Sequence, residues 1–373
     1  MFFKGVLITI VFVLLAMFKN SCLASITIDN YTDGDVQHYP YALLCGRVEE
    51  PDSDWVVIEN LSSSSPDRIV RVQVVTGRFK ALVKLSEGAN RLTIASQSSR
   101  IDFSIVFRRS RNPYFVRIVL FTDCDDTVTD FTKDFRDIPG VLSHEELSAR
   151  LSTKLRNAAS LWQIATAEQL HNDGYGRKTF RLEHDENGEV IVWRQRGRES
   201  SRSYLQKSQE ERFQAIRREI ITGSLSSSYA SYFVLLAFSQ PEEVESIRTA
   251  LGAGRVGVLD ARCLFTWPDD VNNLGALFSD CTPIPSDYLR DSAFRNTRWA
   301  LSSSSLGAGL HELGHALGME HTNDPLDCMS RGFDFFNRLF SVEEPEGDSE
   351  NFHLPHWNKK NAEILMRSLW IEE

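Results

Sequence analysis

The chain has 373 residues, 42% of them hydrophobic and 25% charged, with a formal net charge of −10. That length allows two domains and a sizeable core, so no disulfide framework is needed to replace one. The acidic balance argues against nucleic acid or an anionic membrane surface as the main partner.

In chain order, residues 1–24 read as a signal peptide. Lys4 precedes an apolar run from Gly5 to Phe18, and Cys22 and Ala24 suit cleavage after Ala24. The run is shorter than the roughly 20 residues of a membrane span. The expectation is a secreted, extracellular protein with no stable membrane span after cleavage. Five cysteines follow: Cys45, Cys124, Cys263, Cys281 and Cys328. In an oxidising compartment some should pair, and Cys263 with Cys281, flanking one loop, is the expected disulfide. Asn30-Tyr31-Thr32 and Asn60-Leu61-Ser62 are glycosylation sequons and fit export.

Residues 25–108 carry short alternating or apolar runs, among them Tyr41 to Val48, Trp55 to Ile58, Ile69 to Val75, Phe79 to Leu85 and Ile101 to Phe107. Turn clusters such as Glu87-Gly88-Ala89-Asn90 separate them. This spacing predicts a small β-sandwich. Arg108-Arg109-Ser110-Arg111-Asn112-Pro113 is the expected boundary, a solvated linker in preference to a convertase site. Strands and helices then alternate through residues 113–373. Tyr114 to Thr122 reads as a buried strand. Ser143 opens a helix through a capping box to Glu146. Thr179 to Val192 reads as a hairpin turning at Asn187-Gly188. Glu210 to Ile221 is helical, Tyr232 to Phe238 and Gly254 to Phe265 are strands, and Ser292 to Leu317 leads into a helix. The fold class is α+β: a β-sandwich-like N-terminal domain, then an α/β domain.

The chemistry lies in His311-Glu312-Leu313-Gly314-His315-Ala316-Leu317-Gly318-Met319-Glu320-His321. On a helix, His311 and His315 lie four residues apart on one face and can grip one ion. Glu312 is offset by one position, where a general base for a metal-bound water belongs. Gly318 tolerates positive φ, so the chain can turn and bring back His321 as third ligand. Three protein ligands leave one position open, the arrangement of a catalytic zinc. Three imidazoles suit one Zn²⁺ best. The expected reaction is hydrolysis of peptide bonds in a protein or peptide substrate, with Glu312 taking the proton of a zinc-bound water. An upstream edge strand should hold the substrate backbone, with Gly254, Arg255 and Val256 as the candidates.

The motif H-E-x-x-H-x-x-G-x-x-H, with Met329 eight residues after His321, resembles the metzincin zinc peptidases. In that group a methionine turn floors the three imidazoles, which is the role the resemblance implies for Met329. No tyrosine follows closely, so a tyrosine ligand is not implied. Tyr39-Pro40, Gly46-Arg47-Val48, Phe265-Thr266-Trp267-Pro268 and the segment Ser330 to Arg338 are similar to a family of zinc metallopeptidases from fungi and animals called Metallopep. The resemblance spans residues 25 to about 340. It implies a β-rich domain before a metzincin-like catalytic domain and leaves the substrate blank. The cysteine cluster of archaemetzincins is absent.

Lesser signals have bland readings. Cys45-Gly46 is similar to a matrixin cysteine switch, but Cys45 within an apolar run reads as buried. His353 and His356 read as surface or packing histidines. Phe333, Phe335 and Phe336 shape a specificity pocket or close the core. A catalytically silent zinc-binding protein and an adhesion module acting through its β-domain are the alternative readings. An intact Glu312 speaks against the first. The second predicts that residues 25–108 alone bind the target.

Overall fold

Alternation of apolar residues in the N-terminal third gives two sheets packed face to face. The computed structural model describes residues 25–371, apart from 51–52, 138–139, 141, 240–244, 248 and 346–351. The expected signal peptide lies outside the described residues. One sheet is three-stranded, from β1 (Ile26–Ile28), β3 (Tyr41–Val48) and β6 (Arg78–Lys84), in the order β1-β3-β6. The other is five-stranded, from β2 (Asp35–Gln37), β4 (Trp55–Asn60), β5 (Ile69–Gln73), β7 (Gly88–Ala95) and β8 (Arg100–Phe107), in the order β2-β8-β7-β4-β5. Ala42, Leu44, Ala81 and Val83 of the first meet Val56, Ile58, Ile94 and Ile105 of the second in one core. The period of two sends Leu43 and Leu82 to the opposite face. There they join the core of the rest of the chain.

Both sequons fall on asparagines that the fold has already used. Asn60 is fully buried, and its Nδ2 donates to Lys84 O (3.0 Å) and Asn90 Oδ1 (2.9 Å). Asn30 Nδ2 donates to Leu43 O (2.7 Å) and Glu168 Oε2 (3.1 Å). Each amide has two protons and both are bonded within the fold. The expectation of a glycoprotein finds no support there. The expected disulfide is corrected. Cys263 is buried with its thiol turned to Asp260 O (3.8 Å), whereas Cys281 is exposed, and no disulfide joins the described cysteines.

The second half is built on a five-stranded sheet of β9 (Phe115–Thr122), β10 (Val192–Arg196), β11 (Ala230–Leu236), β12 (Ala250–Ala253) and β13 (Val256–Asp260). Its order is β10-β9-β11-β13-β12. All neighbours are parallel except β12, which pairs antiparallel with β13 at the edge. Among the described residues six α-helices accompany it: α1 (His144–Asn172), α2 (Ser201–Gln206), α3 (Gln209–Thr222), α4 (Leu274–Phe278), α5 (Arg298–Ala316) and α6 (Lys359–Arg367). Apolar residues of alternate parity face opposite sides of the sheet. Ile118, Leu120, Phe233 and Leu235 pack with α1 and α5. Val119, Tyr232, Val234 and Val258 pack with Phe213, Ile216 and Ile220 of α3. The capping box at Ser143 and Glu146 starts α1 as expected.

Two expected elements are shorter than predicted. The hairpin at 179–192 reduces to a single antiparallel bridge, His184 to Val190, around the turn at Asn187-Gly188. Leu182 instead bridges in parallel to Val116, which draws the segment alongside β9. The strand predicted to reach Phe265 ends at Asp260, whose carboxylate caps a 3-10 helix over Ala261–Thr266.

Candidate metal centre

The three histidines converge. His311 and His315 stand one turn apart on α5, and the chain leaves the helix through Gly318 at φ 98°, in the left-handed region that favours glycine. The turn returns His321 to the other two. The three Nε2 atoms lie 3.0, 3.1 and 3.2 Å apart. His311 Nδ1 donates to Cys328 O (2.7 Å) and His315 Nδ1 donates to Met319 O (3.0 Å). A carbonyl only accepts, so these bonds place the proton on Nδ1 and leave a lone pair on each Nε2. Lone pairs facing each other at this distance repel unless a cation lies among them. Nitrogens this close can share an ion at the roughly 2.0–2.1 Å of a zinc–imidazole bond. The donor set and its carbonyl supports therefore fit a zinc ion.

Glu312 sits beside this cluster, buried, with its Oε2 lacking a hydrogen-bond partner among the described residues. Burial alone pushes its carboxyl up to about 8. Burial, partly offset by the bond to Cys328 O, takes His311 down to about 4, and His315 moves in the same direction for the same reason. Both rings are neutral at pH 7, the form that ligates metal.

Several residues that bind nothing fix this geometry. Gly252 of β12 and Gly257 of β13 are paired across the hairpin. A Cβ at Gly252 would stand 2.3 Å from Glu312 O, and one at Gly257 would stand 2.6 Å from it. α5 thus rests on the sheet at the turn that bears Glu312. Met329 is buried, and its Sδ would be 2.5 Å from a Cβ at Gly314, so the thioether lies under the helix between His311 and His315. Asp327 Oδ1 accepts from Met329 N (2.9 Å), and its Oδ2 accepts from Thr322 Oγ1 (2.8 Å). Asn361 on α6 closes the clamp. Its Nδ2 donates to Glu320 O (3.0 Å) and Asp327 Oδ2 (3.2 Å), and its Oδ1 accepts from Glu320 N (3.3 Å). Asn361 thereby holds the residue before His321 and the carboxylate that holds Met329. His356 packs there too: Cys328 N donates to its carbonyl (2.8 Å), and its Nε2 lies 2.9 Å from Asp324 Oδ2.

The strand expected at the sheet edge is an inner one, and the edge lies one strand further out. Gly254 and Arg255 have positive φ (54° and 72°) and form the two-residue turn of the hairpin. Val256 begins β13, an inner strand covered by β12. The small residue at Gly257 serves the approach of α5, not of a ligand. The free edge belongs to β12, where antiparallel alternation turns the backbone of Ala250 and Gly252 outward. Gln209 Nε2 already donates to Ala250 O from that side (3.2 Å).

A cavity of about 140 Å³ opens against His311 and Glu312, lined by Ile247, Ala250, Ser304, Ala308 and Phe333, with Asp291 and Arg331 adding charge. Phe333 lies edge-on to His311 (5.1 Å). Phe336 is buried in the core, and Phe335 lies beside the guanidinium of Arg338. Cys45 faces Lys80 and Glu168 in a cavity that includes none of the three histidines.

Sequence spacing found the cluster but not Asn361, Asp327 or Gly252, whose partners are distant along the chain. Only Asp327, two residues before Met329, carried a positional hint.

The chain resembles proteins named "Putative zinc metalloproteinase" from two yeasts. It is 25% identical to the one from Schizosaccharomyces pombe over 351 residues, covering 87% of this chain and 55% of that protein. It is 24% identical to the one from Saccharomyces cerevisiae, covering 71% of this chain and 42% of that one. The chain thus spans about half the length of these relatives. Among solved structures, OgpA from Akkermansia muciniphila aligns with a TM-score of 0.43 at 14% identity, over 70% of this chain and 62% of that one. Archaemetzincin from Methanopyrus kandleri aligns with a TM-score of 0.30 at 14% identity, over 69% and 97%. Residues 25–364 match the Metallopep family, described as "Putative peptidase family". The chain belongs to that family.

Proposed function

We propose that this chain is a zinc-dependent endopeptidase of the metzincin type, with His311, His315 and His321 as ligands and Glu312 as general base. The observation that carries the reading is the set of three converging Nε2 atoms beside a buried carboxylate oxygen with no partner among the described residues. A zinc ion held there supplies a Lewis acid that polarises the scissile carbonyl and acidifies the attacking water. The positive charge of that ion would oppose the effect of burial and favour the carboxylate form of Glu312, which would then accept a proton from the attacking water and deliver it to the departing amine nitrogen. Burial of this carboxylate keeps competing solvent from the oxygen that must receive the proton. The substrate is a protein or peptide, laid along the free edge of β12 by backbone hydrogen bonds, with one side chain in the cavity against His311. Nucleic acid is disfavoured by the net charge of −10. No helix among the described residues is long and apolar enough to cross a membrane. Export is proposed on residues 1–24 alone, since neither the sequons nor a disulfide supports it.

The reading is tested by comparing the chain from residue 25 with its Glu312→Ala variant on a mixed peptide library, with zinc content measured in both. Equal zinc and a loss of cleavage by roughly 10²–10⁴-fold are expected. Equal cleavage by the two proteins would refute the role of Glu312.

A further inference from the structure

Phe294 is 99% exposed, far more than the next large apolar side chain among the described residues, Leu369 at 57%. Its backbone is left-handed at φ 66°, and so are those of Ala293 (53°) and Asn296 (51°). Three such residues within four positions, none of them glycine, are held against their own preference. The loop is nonetheless pinned on both sides of the ring. Asp291 Oδ2 accepts from Ile247 N (3.0 Å). Ser292 Oγ accepts from Asn296 N (2.8 Å). Arg295 lies over Trp299 (4.6 Å) and donates to Asp334 O (2.7 Å) and Ser304 Oγ (3.3 Å). Half-buried anchors at Asp291 and Arg295, with Ser292 buried between them, thus hold an aromatic ring in solvent, and no described residue covers it.

One anchor, Asp291, lines the cavity beside the metal centre, and the other, Arg295, bonds to Ser304, which lines it too. Asp334 follows Phe333, which also lines it. Ser304 precedes His311 by seven residues on α5, about 10 Å along the helix. An extended peptide advances roughly 3.3 Å per residue, so that distance is about three substrate residues. Ile247 and Ala250 place this end of the cavity at the start of β12. A peptide added antiparallel to β12, the more stable pairing, has its C-terminal side there.

We propose that Phe294 is a substrate-binding residue whose ring lies against the substrate about three residues to the C-terminal side of the bond that is cut. The proposal rests on the endopeptidase reading above. It assigns the preferred substrate as a chain that continues past the cleaved bond, with an apolar or planar group about three residues on, in preference to one that ends near it.

The test uses peptides cut by the wild-type chain from residue 25, each made with one or with four residues after the scissile bond. The ratio of kcat/KM for long over short is compared between wild type and Phe294→Ala. A fall of about tenfold in that ratio is expected, with Phe294→Trp retaining the wild-type preference, and with zinc content and Tm unchanged because the side chain packs on none of the described residues. An unchanged ratio, with wild type active, overturns this proposal alone. A change of sedimentation coefficient in Phe294→Ala also overturns it, by making the ring a self-association contact. Failure of the wild type to cut any peptide overturns the endopeptidase reading and this proposal with it.

Discussion

Gly252 and Gly257 shape the centre without being able to bind a metal. Each lies where a Cβ would strike the Glu312 carbonyl, so any larger residue lifts α5 and its two histidines away from His321. Gly257→Val is expected to lower stability by about 1–3 kcal/mol through overpacking and to weaken zinc binding, read by thermal unfolding and chelator competition. A variant with wild-type zinc affinity would show that the helix is not seated by this contact. The same scale explains what the sequence could reveal. His311, Glu312, His315, Gly318 and His321 are legible because the helical period and one turn relate them locally. The pairing of Gly252 with Gly257, and the contact of both with Glu312, needs the hairpin and the helix together. The surroundings of Asn30 and Asn60 were hidden for the same reason. A sequon is a property of three consecutive residues, whereas the burial of its amide is set by Leu43, Glu168, Lys84 and Asn90.

Among the elements, α6 has an effect on the site that its position near the end of the chain conceals. Asn361 ties the Glu320 backbone to the Asp327 carboxylate, and so fixes the loop bearing His321 from outside. Asn361→Ala should weaken zinc affinity by 10- to 100-fold, in the range of lost supporting bonds around ligands. The gap in Tm between zinc-loaded and metal-free protein should shrink accordingly, because binding to the native state is what raises Tm. A purely structural role would lower both Tm values together and leave the gap intact. Element type was legible wherever a period ran long enough, as in α1 with its capping box and in the strands of the sandwich. The edge strand was misplaced because apolar content marks a strand without saying which neighbour covers it. Val256–Asp260 is the fully buried half of the hairpin, and Ala250–Ala253 is the half that covers it.

Across the whole molecule, the sandwich and the α/β region share an interface that is polar at its centre. Arg177 pairs with Glu168 (2.7 Å), both nearly buried, and its guanidinium lies 3.6 Å over the Tyr31 ring. Tyr39 Oη donates to Glu168 Oε1 (3.3 Å), and Lys80 Nζ donates to Arg338 O (2.6 Å). Leu43 and Leu82 complete the contact. Breaking a buried pair leaves its partner's charge uncompensated, so Arg177→Met should cost roughly 3–5 kcal/mol in denaturant unfolding. A cost under about 1 kcal/mol, the range of exposed pairs, would mean that water reaches the junction. For the same reason residues 113–373 expressed alone should not form a soluble, cooperatively unfolding domain. None of this interface was legible beforehand, since alternation predicts that a strand has two faces but not that both are covered. The account as a whole stands on one metal ion doing chemistry at one place. The most direct measurement strips the chain of metal with a chelator and follows peptide cleavage as zinc is returned. Cleavage should be absent at the start and rise linearly to a plateau at one zinc per chain, and a His315→Ala variant should stay inactive throughout. Cleavage by the stripped protein, or none at any zinc concentration, would contradict the account.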